Sequence, residues 1–255
     1  MKKAWSVLLA AVLCTGMFAG CAGTETASTG GASSQEVQSA EESKTEESAA
    51  EESQEGGETV DLSGTVSTNG STSMEEVMMG LTEYFKEKYP NITVTYDPTG
   101  SGTGIQQATS GSCDIGLSSR ALKQEEIDAG LTETVVAKDG IAIVVNKENT
   151  VTELTVDQIT KIATGEITNW SEVGGPDMEI AFIGREAGSG TRGAFEELTS
   201  TEEACSYAQE LTSTGAVRTA VSTTPGGIGY ISLSSLDDSV IALKVKADDA
   251  SPAVE

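Results

Sequence analysis

The stretch Gly188-Ser189-Gly190-Thr191-Arg192 decides the fold prediction, because a similar stretch, Thr99-Gly100-Ser101-Gly102-Thr103, occurs earlier in the chain. Each stretch follows a run that predicts a β-strand and precedes a run that predicts a helix. A third loop of the same kind, residues 69–73, precedes the first long predicted helix. Repeated strand–loop–helix units favour a parallel sheet with a ligand at the carboxyl ends of its strands.

The three loops have the composition of an anion-binding site. Glycine lets backbone N–H groups approach a ligand, while hydroxyls and the positive end of the helix dipole add attraction for an anion. Arg185 precedes Ser189 by four residues, and its guanidinium offers a planar fork of donors that matches two oxygens of an oxyanion. One Ser/Thr cluster would be explained by helix capping alone. Three clusters at strand–helix junctions predict a site for a small tetrahedral oxyanion.

The pattern along the chain supports an α/β domain. A capping-box pair predicts helix starts at Ser73 (with Glu76) and at Thr155 (with Gln158), and a further helix is expected from about Ile105. Apolar or alternating runs predict strands over residues 65–68, 92–96, 114–118, 141–145 and 179–184.

Charge and residue usage exclude several function classes. The formal net charge of −25 argues against nucleic acid or an anionic membrane surface as a partner. Anion binding remains compatible, because charges beyond a Debye length of about 8 Å are screened. The chain contains no histidine, so a Ser-His-Asp triad is excluded and neither a zinc site nor another cofactor is expected. Cys113 and Cys205 fall in different predicted lobes, so we expect two free, partly buried thiols.

The N-terminus predicts export and lipid attachment. Lys2 and Lys3 precede the apolar stretch 4–17, which is too short to span a bilayer. Residues 18–21, Phe-Ala-Gly-Cys, resemble a bacterial lipoprotein cleavage site. We therefore expect a signal peptide over residues 1–21 that ends at a lipidated Cys21, and an extracytoplasmic protein anchored to the cell membrane. The alternative is an ordinary secretory signal cut near residues 19–22.

Three further segments are predicted after the signal peptide. Residues 22–58 contain ten glutamates against one lysine and predict a disordered acidic linker. The folded part is expected to form a first lobe over residues 60–139 and a second lobe over residues 140–235. Residues 236–255 are expected to return to the first lobe.

Six segments resemble, in order, segments of the PstS-type phosphate-binding proteins, the extracytoplasmic receptors of the high-affinity phosphate ABC transporter. They read Gly-Ser-Thr-Ser at 70–73, Thr-Gly-Ser-Gly at 99–102, Asp-Ile-Gly-Leu-Ser-Ser-Arg at 114–120, Gly-Glu-Ile-Thr-Asn-Trp at 165–170, Arg-Glu-Ala-Gly-Ser-Gly-Thr at 185–191 and Pro-Gly-Gly-Ile-Gly-Tyr at 225–230. The resemblance covers about residues 62–255. It implies a two-lobed, periplasmic-binding-protein-like (type II) α/β fold with the ligand in a cleft between the lobes.

The resemblance also implies site residues and partners. The residues expected to contact phosphate are Thr72, Ser73, Ser101, Ser119, Arg185, Ser189, Gly190 and Thr191, with Arg120 as an additional candidate. The implied function is delivery of inorganic phosphate to the permease subunits of an ABC importer by hinge closure around the anion, without catalysis. The protein is expected to be a monomer that meets the membrane only through its lipid anchor.

Two departures from the family pattern leave alternatives open. The position of Ser119 is an aspartate in well-known members, where it accepts the proton of hydrogen phosphate. A serine penalises sulfate less than a buried carboxylate does. A receptor for another oxyanion, such as sulfate or molybdate, and a phosphate-sensing surface lipoprotein therefore remain alternatives. Family members also continue beyond the segment that resembles residues 251–255, so we expect this chain to lack a C-terminal segment of the family.

Overall fold

A three-stranded parallel sheet organises the first half of the chain, which we define as residues 62–139. The computed structural model describes residues 62–248 and 250–253. In this sheet β1 is the central strand, with β2 and β3 on either side of it. Parallel neighbours need crossover connections, and α1 and α2 supply them. The elements of this half are β1 (Gly64–Gly70), α1 (Glu75–Lys88), β2 (Ile92–Asp97), α2 (Ser101–Ser110), β3 (Ile115–Leu117) and α3 (Gln124–Asp128).

Two helix starts in this half differ from the predicted ones. Helix α2 begins at Ser101, four residues before the expected Ile105, so Ser101 belongs to its first turn. Ser73 does not cap α1, because residues 72–74 form a short 3-10 turn and the helix begins at Glu75. The Ser73 hydroxyl instead lies 3.0 Å from the hydroxyl of Ser71. In both places the serine hydroxyl, of Ser73 or of Ser101, does not cap a helix.

The second half, residues 140–253, contains a mixed five-stranded sheet in the order β7-β6-β8-β4-β9. Strands β6, β7 and β8 run parallel, whereas β4 is antiparallel to β8 and β9. Helix α4 has the predicted capping box, in which the Thr155 hydroxyl accepts the Gln158 N–H and the chain leaves at Gly165 with a φ of 78°. The elements are β4 (Ile141–Val145), β5 (Glu153–Thr155), α4 (Val156–Thr164), β6 (Ala181–Arg185), α5 (Gly190–Thr199), β7 (Gln209–Leu211), α6 (Thr214–Thr223), β8 (Gly227–Ser232), β9 (Ile241–Ala242) and β10 (Lys244–Lys246).

The last strands do not return to the first half. Strand β9 pairs with β4, and β10 pairs in parallel with β5. The expectation that residues 236–255 cross back to the first lobe is therefore wrong for these two strands. The physical reason is burial, because Val240 and Leu243 pack into hydrophobic clusters on opposite faces of the second sheet.

The main core lies on both faces of the five-stranded sheet. Ile143 and Val145 of β4 face one apolar cluster, and the alternate residues Ala142 and Val144 face the other. Trp170 is fully buried in the first of these clusters, and its indole N–H donates to the Gly226 carbonyl over 3.1 Å. Because apolar clusters pack against both faces of this sheet, the ends of its strands are held in fixed positions.

The structure leaves some predictions untested and decides one. The predicted signal peptide, Cys21 and the linker 22–58 lie outside the described residues. Among the residues that are described, no helix is long and apolar enough to cross a membrane. Cys113 and Cys205 are both free thiols, as expected. The limits of the two lobes stay a prediction.

Candidate anion-binding site

The predicted site residues lie in loops that follow parallel strands. Residues 71–73 follow β1, Ser101 follows β2 after a short loop, Ser119 follows β3, and residues 189–191 follow β6. The carboxyl ends of parallel strands point to one edge of their sheet, where ligands of open α/β sheets bind. The sequence pattern of strand, Gly/Ser/Thr loop and helix therefore places all these loops at strand ends, as predicted.

Five hydroxyl side chains from these loops form one continuous group, which we call the hydroxyl cluster. Ser101 Oγ lies 3.3 Å from Ser119 Oγ, and Ser119 Oγ lies 3.4 Å from Thr191 Oγ1. Thr191 donates to Ser73 Oγ over 3.3 Å, and Ser73 continues to Ser71. Each hydroxyl rotates to suit its partner, so the cluster can turn several donors toward one anion.

Helix α5 begins against this cluster. A side chain at Gly190 would collide with the hydroxyl oxygens of Ser101 and Ser119, so only glycine allows this approach. Ser189 caps the helix by accepting the Arg192 N–H over 3.3 Å. The first N–H groups of a helix have no partner within the helix, and they carry the positive end of its dipole. The start of α5 thus adds backbone donors beside the hydroxyls.

The guanidinium of Arg185 is buried, with only 2% of the residue exposed. Its Nε donates to the Leu211 carbonyl and its Nη2 to the Thr212 carbonyl, each over 3.1 Å. Nη2 also donates to Glu186 over 2.9 Å, and Nη1 donates to the Thr214 hydroxyl over 3.1 Å. These partners fix the plane of the guanidinium and hold a permanent positive charge inside the site.

Aromatic hydroxyls support Arg185 from the protein interior. The backbone N–H of Arg185 donates to the hydroxyl of Tyr230 over 3.2 Å, and that hydroxyl lies 3.0 Å from the hydroxyl of Tyr207. Arg192 donates to the Arg185 carbonyl over 3.0 Å and stacks over the Tyr207 ring. Burial raises the pKa of Tyr230 to about 12 and raises the pKa of Tyr207 as well. Both phenols therefore stay neutral hydrogen-bonding supports at physiological pH.

One carboxylate reaches the site. Glu186 forms an ion pair with Arg185 at 2.9 Å, and its Oε1 would lie 3.3 Å from a Cβ added at Gly100, the N-cap of α2. Its other oxygen, Oε2, is buried without a hydrogen-bond partner among the described residues. Glu186 thus offsets part of the positive charge that Arg185 brings.

Two participants were not singled out from the sequence. Ser71 belongs to the hydroxyl cluster, although only its neighbours Thr72 and Ser73 were predicted as contacts. Thr214 lies 3.2 Å from the Thr72 hydroxyl and also accepts from Arg185. The stretch Thr212-Ser213-Thr214-Gly215 has the same Ser/Thr/Gly composition between a strand and a helix as the quoted loops. That composition was the signal available for finding Thr214.

Arg120 has a different partner from the predicted anion. Its guanidinium makes two hydrogen bonds with the carboxylate of Glu126, at 2.7 and 2.9 Å, and a third with the Ala121 carbonyl. Within the described part of the chain, no hydrogen bond joins the Arg120 guanidinium to the hydroxyl cluster. The other eight predicted residues lie in or beside one buried polar site.

The arrangement offers hydrogen-bond donors and a buried positive charge to an oxyanion. Hydroxyl donors, helix N-termini and one arginine surround the same place, and the chain has no histidine to act as a base for a serine nucleophile. In the described ranges, no group of three or more His, Cys, Asp or Glu side chains could hold a metal ion.

Comparison with known proteins identifies the family of this chain. The model of the PBP superfamily domain matches residues 23–250. A phosphate ABC transporter substrate-binding protein from Clostridium perfringens, solved with bound phosphate, is 44% identical and superposes with a TM-score of 0.70 over 74% of this chain and 79% of that chain. An ABC-type phosphate transport receptor from Vibrio cholerae is 37% identical, with a TM-score of 0.58 over 72% of this chain and 78% of that chain.

A curated relative extends the comparison. The phosphate-binding protein PstS of Bacillus subtilis is 36% identical over 188 residues, which is 72% of this chain and 62% of the relative. The match therefore covers 62% of the length of that relative, which is less than two thirds. The chain belongs to the PBP superfamily and, within it, to the family of PstS-type phosphate-binding proteins. Its mixed α/β architecture is the fold of that family.

Proposed function

We propose that this protein is an extracytoplasmic receptor that binds inorganic phosphate and delivers it to an ABC importer. The observation that carries the proposal is the burial of Arg185 next to hydroxyls from several loops. Arg185 supplies a fixed charge, while Thr72, Ser73, Ser101 and Ser119 supply hydroxyls from the first half. The start of α5 adds the hydroxyls of Ser189 and Thr191 and the backbone N–H groups of its first turn, which begins at Gly190. The names of the relatives support phosphate as the ligand.

The mechanism is binding without chemistry. The two predicted lobes close about a hinge, and the anion stabilises the closed state by accepting hydrogen bonds from both. Permease subunits then recognise the closed form, and the receptor acts as a monomer. Cys21 carries the lipid that holds the receptor at the cell membrane, and the acidic linker 22–58 separates the folded part from the surface.

A receptor for a broader set of tetrahedral oxyanions is the second candidate. The observation that favours it is Ser119, which stands where a carboxylate is expected and lies within the hydroxyl cluster. A hydroxyl both donates and accepts, so it does not reject a fully ionised sulfate as a carboxylate would.

Calorimetric titration of purified, phosphate-free protein tests both candidates. Tight binding of phosphate with weak or absent binding of sulfate, at neutral pH, supports the phosphate receptor. Comparable binding of phosphate and sulfate supports the broader receptor. Absence of heat with phosphate, sulfate and molybdate from a folded sample would contradict both.

A further inference from the structure

The loop between β7 and α6 encloses the guanidinium of Arg185. Strands β6 and β7 are parallel neighbours in which Arg185 pairs with Leu211, so their carboxyl ends lie side by side. The carbonyls of Leu211 and Thr212 accept from Nε and Nη2 of Arg185, each over 3.1 Å. Backbone carbonyls at the end of β7 and in the loop after it thus accept from Nε and Nη2 of the guanidinium.

Thr214 contacts the remaining guanidinium nitrogen. The residue is 3% exposed, and its hydroxyl accepts from Nη1 of Arg185 over 3.1 Å. A hydroxyl that accepts a hydrogen bond still has its own proton to donate. The Thr72 hydroxyl lies 3.2 Å away, and the Thr214 N–H donates to that same oxygen over 3.3 Å. Arg185, Thr214 and Thr72 therefore form one hydrogen-bonded chain.

The Thr214 hydroxyl is not needed by its own helix. Ser213 caps α6, because its side chain accepts the Ala216 N–H over 3.1 Å. The Thr214 side chain is turned instead toward Arg185 of the second half and Thr72 of the first half. Among the described residues, the partners of this buried hydroxyl are two predicted ligand-binding residues, which points to a role at that site.

We infer that Thr214 is a positioning residue of the anion site, which holds Nη1 of Arg185 in place and connects it to Thr72. The inference rests on the proposed function and adds a residue to it. Thr214 makes the charge of the second half and the hydroxyls of the first half act on the oxyanion together. When the hydroxyl is removed, Nη1 loses its acceptor in a buried place, and Thr72 loses the side chain that orients it.

The test compares Thr214→Val with Thr214→Ser in the purified protein. Valine keeps the volume and removes the hydroxyl, whereas serine keeps the hydroxyl. Calorimetric titration with inorganic phosphate should show affinity about 10- to 100-fold weaker for Thr214→Val, in line with the loss of a hydrogen bond to a charged group. Thr214→Ser should bind within about threefold of wild type. Thr219→Val, at an exposed position of the same helix, should bind like wild type.

A double-mutant cycle separates positioning from a general loss of structure. If Thr214 acts through Thr72, the double variant Thr72→Val/Thr214→Val should lose clearly less affinity than the product of the two single losses. Where Thr214→Val does not fold, Thr214→Ala takes its place in the same cycle. Wild-type affinity in Thr214→Val, equal losses in the serine and valine variants, or a strictly additive cycle would overturn the inference alone. A wild-type protein that binds no oxyanion would overturn the proposed function and the inference with it.

Discussion

Arg185 brings the only guanidinium that the described structure places against the Thr72–Thr214 pair, and it does so at a position almost closed to solvent. A buried charge without a partner is costly, which explains why two carbonyls, a hydroxyl and Glu186 all accept from it. These partners hold the guanidinium in one plane before any anion arrives. Preorganisation of this kind raises affinity by lowering the ordering cost of binding.

Replacement of Arg185 by alanine should weaken phosphate binding by about 100-fold or more, because the anion loses the buried guanidinium charge and a charge-assisted hydrogen bond. Arg185→Lys should restore only part of the loss, since an ammonium cannot reproduce the planar fork. Calorimetric titration measures both. Arg218→Ala is the control, because Arg218 contacts Asp237 and the Ser235 carbonyl instead. Near-normal affinity in Arg185→Ala would contradict the site assignment.

Introduction of a carboxylate at position 119 should increase the preference of the site for phosphate over sulfate. In Ser119→Asp the new side chain lies among the hydroxyls of Ser101 and Thr191, where it can accept the proton of hydrogen phosphate and repel sulfate. We expect sulfate to compete with phosphate at least about tenfold less well than in wild type. Ser119→Asn is the matched neutral control and should show no such gain. Equal sulfate competition in the aspartate and asparagine variants would argue against this role for the position.

The meeting of the loops could be predicted from the sequence, whereas contact with an anion stays a prediction. The hydroxyls of Ser73, Ser101 and Thr191 meet because each follows a recognisable strand, as the sequence predicted. Thr214 was not predicted as a site residue, because the strand before it is short and partly exposed. Strand β7 has only three residues, none of them fully buried, so no apolar pattern indicates a strand–helix junction there. The partner of Arg120 could not be predicted either, since a guanidinium pairs equally well with a carboxylate or an external oxyanion.

At the scale of elements, the link between β3 and α3 carries Ser119. Arg120 and Glu126 close this link with a two-point ion pair whose side chains are 20% and 16% exposed. The hydrogen bonds from Arg120 lower the pKa of Glu126 to about 2. The pair thus ties the Ser119 loop to the start of α3.

The ion pair should make stability depend on acid. Because the pKa of Glu126 is lower in the folded state than its ordinary value of 4.5, its contribution is present above pH 4.5 and is lost as the pH falls toward 2. Glu126→Gln should therefore reduce the free energy of unfolding by roughly 1 kcal/mol at pH 7 and by less at pH 3. Urea unfolding at the two pH values measures this. The control is Glu125→Gln, at an exposed position beside Glu126; an equal loss there would assign the effect to the general negative charge near Arg120 rather than to the ion pair.

Short strands also limited prediction at this scale. Strand β9 has two residues and β10 has three, so neither leaves a periodic signal that fixes its sheet. Their places follow from tertiary burial of Val240 and Leu243, which the sequence alone does not reveal. The strongly apolar strand β4 and the capped helix α4 were predicted correctly, because each carries a local signal.

At the scale of the whole molecule, the family membership and the N-terminal sequence together predict a protein tethered outside the cytoplasm. The relatives are substrate-binding proteins of transporters, and such receptors work only where their permease can reach them. Lipid attachment at Cys21 would keep the receptor near the membrane, and the ten glutamates of residues 22–58 would be repelled by anionic lipid headgroups. This combination favours a folded part held close to, but not on, the surface.

Replacement of Cys21 tests the proposed lipid anchor. In Cys21→Ser the protein should move from the membrane fraction to the soluble extracytoplasmic fraction and should lose incorporation of labelled palmitate. Cys14→Ser is the matched control, since Cys14 follows the bulky Leu13 and makes a poor cleavage site. Retention of the label in Cys21→Ser would point to attachment elsewhere, and loss of the label in Cys14→Ser would move the site to that residue.

The buried indole of Trp170 has a consequence for spectroscopy. The chain has two tryptophans, Trp5 and Trp170. Because Trp5 lies in the predicted signal peptide, removal of that peptide would leave Trp170 as the single tryptophan. Trp170 is fully enclosed and hydrogen-bonded to Gly226, and its fluorescence should be blue-shifted until the second half opens. The first half contains only tyrosines as ordinary fluorophores, so its loosening would leave this emission unchanged. A tryptophan melting curve would then record the folding of one half of the molecule and remain silent about the other.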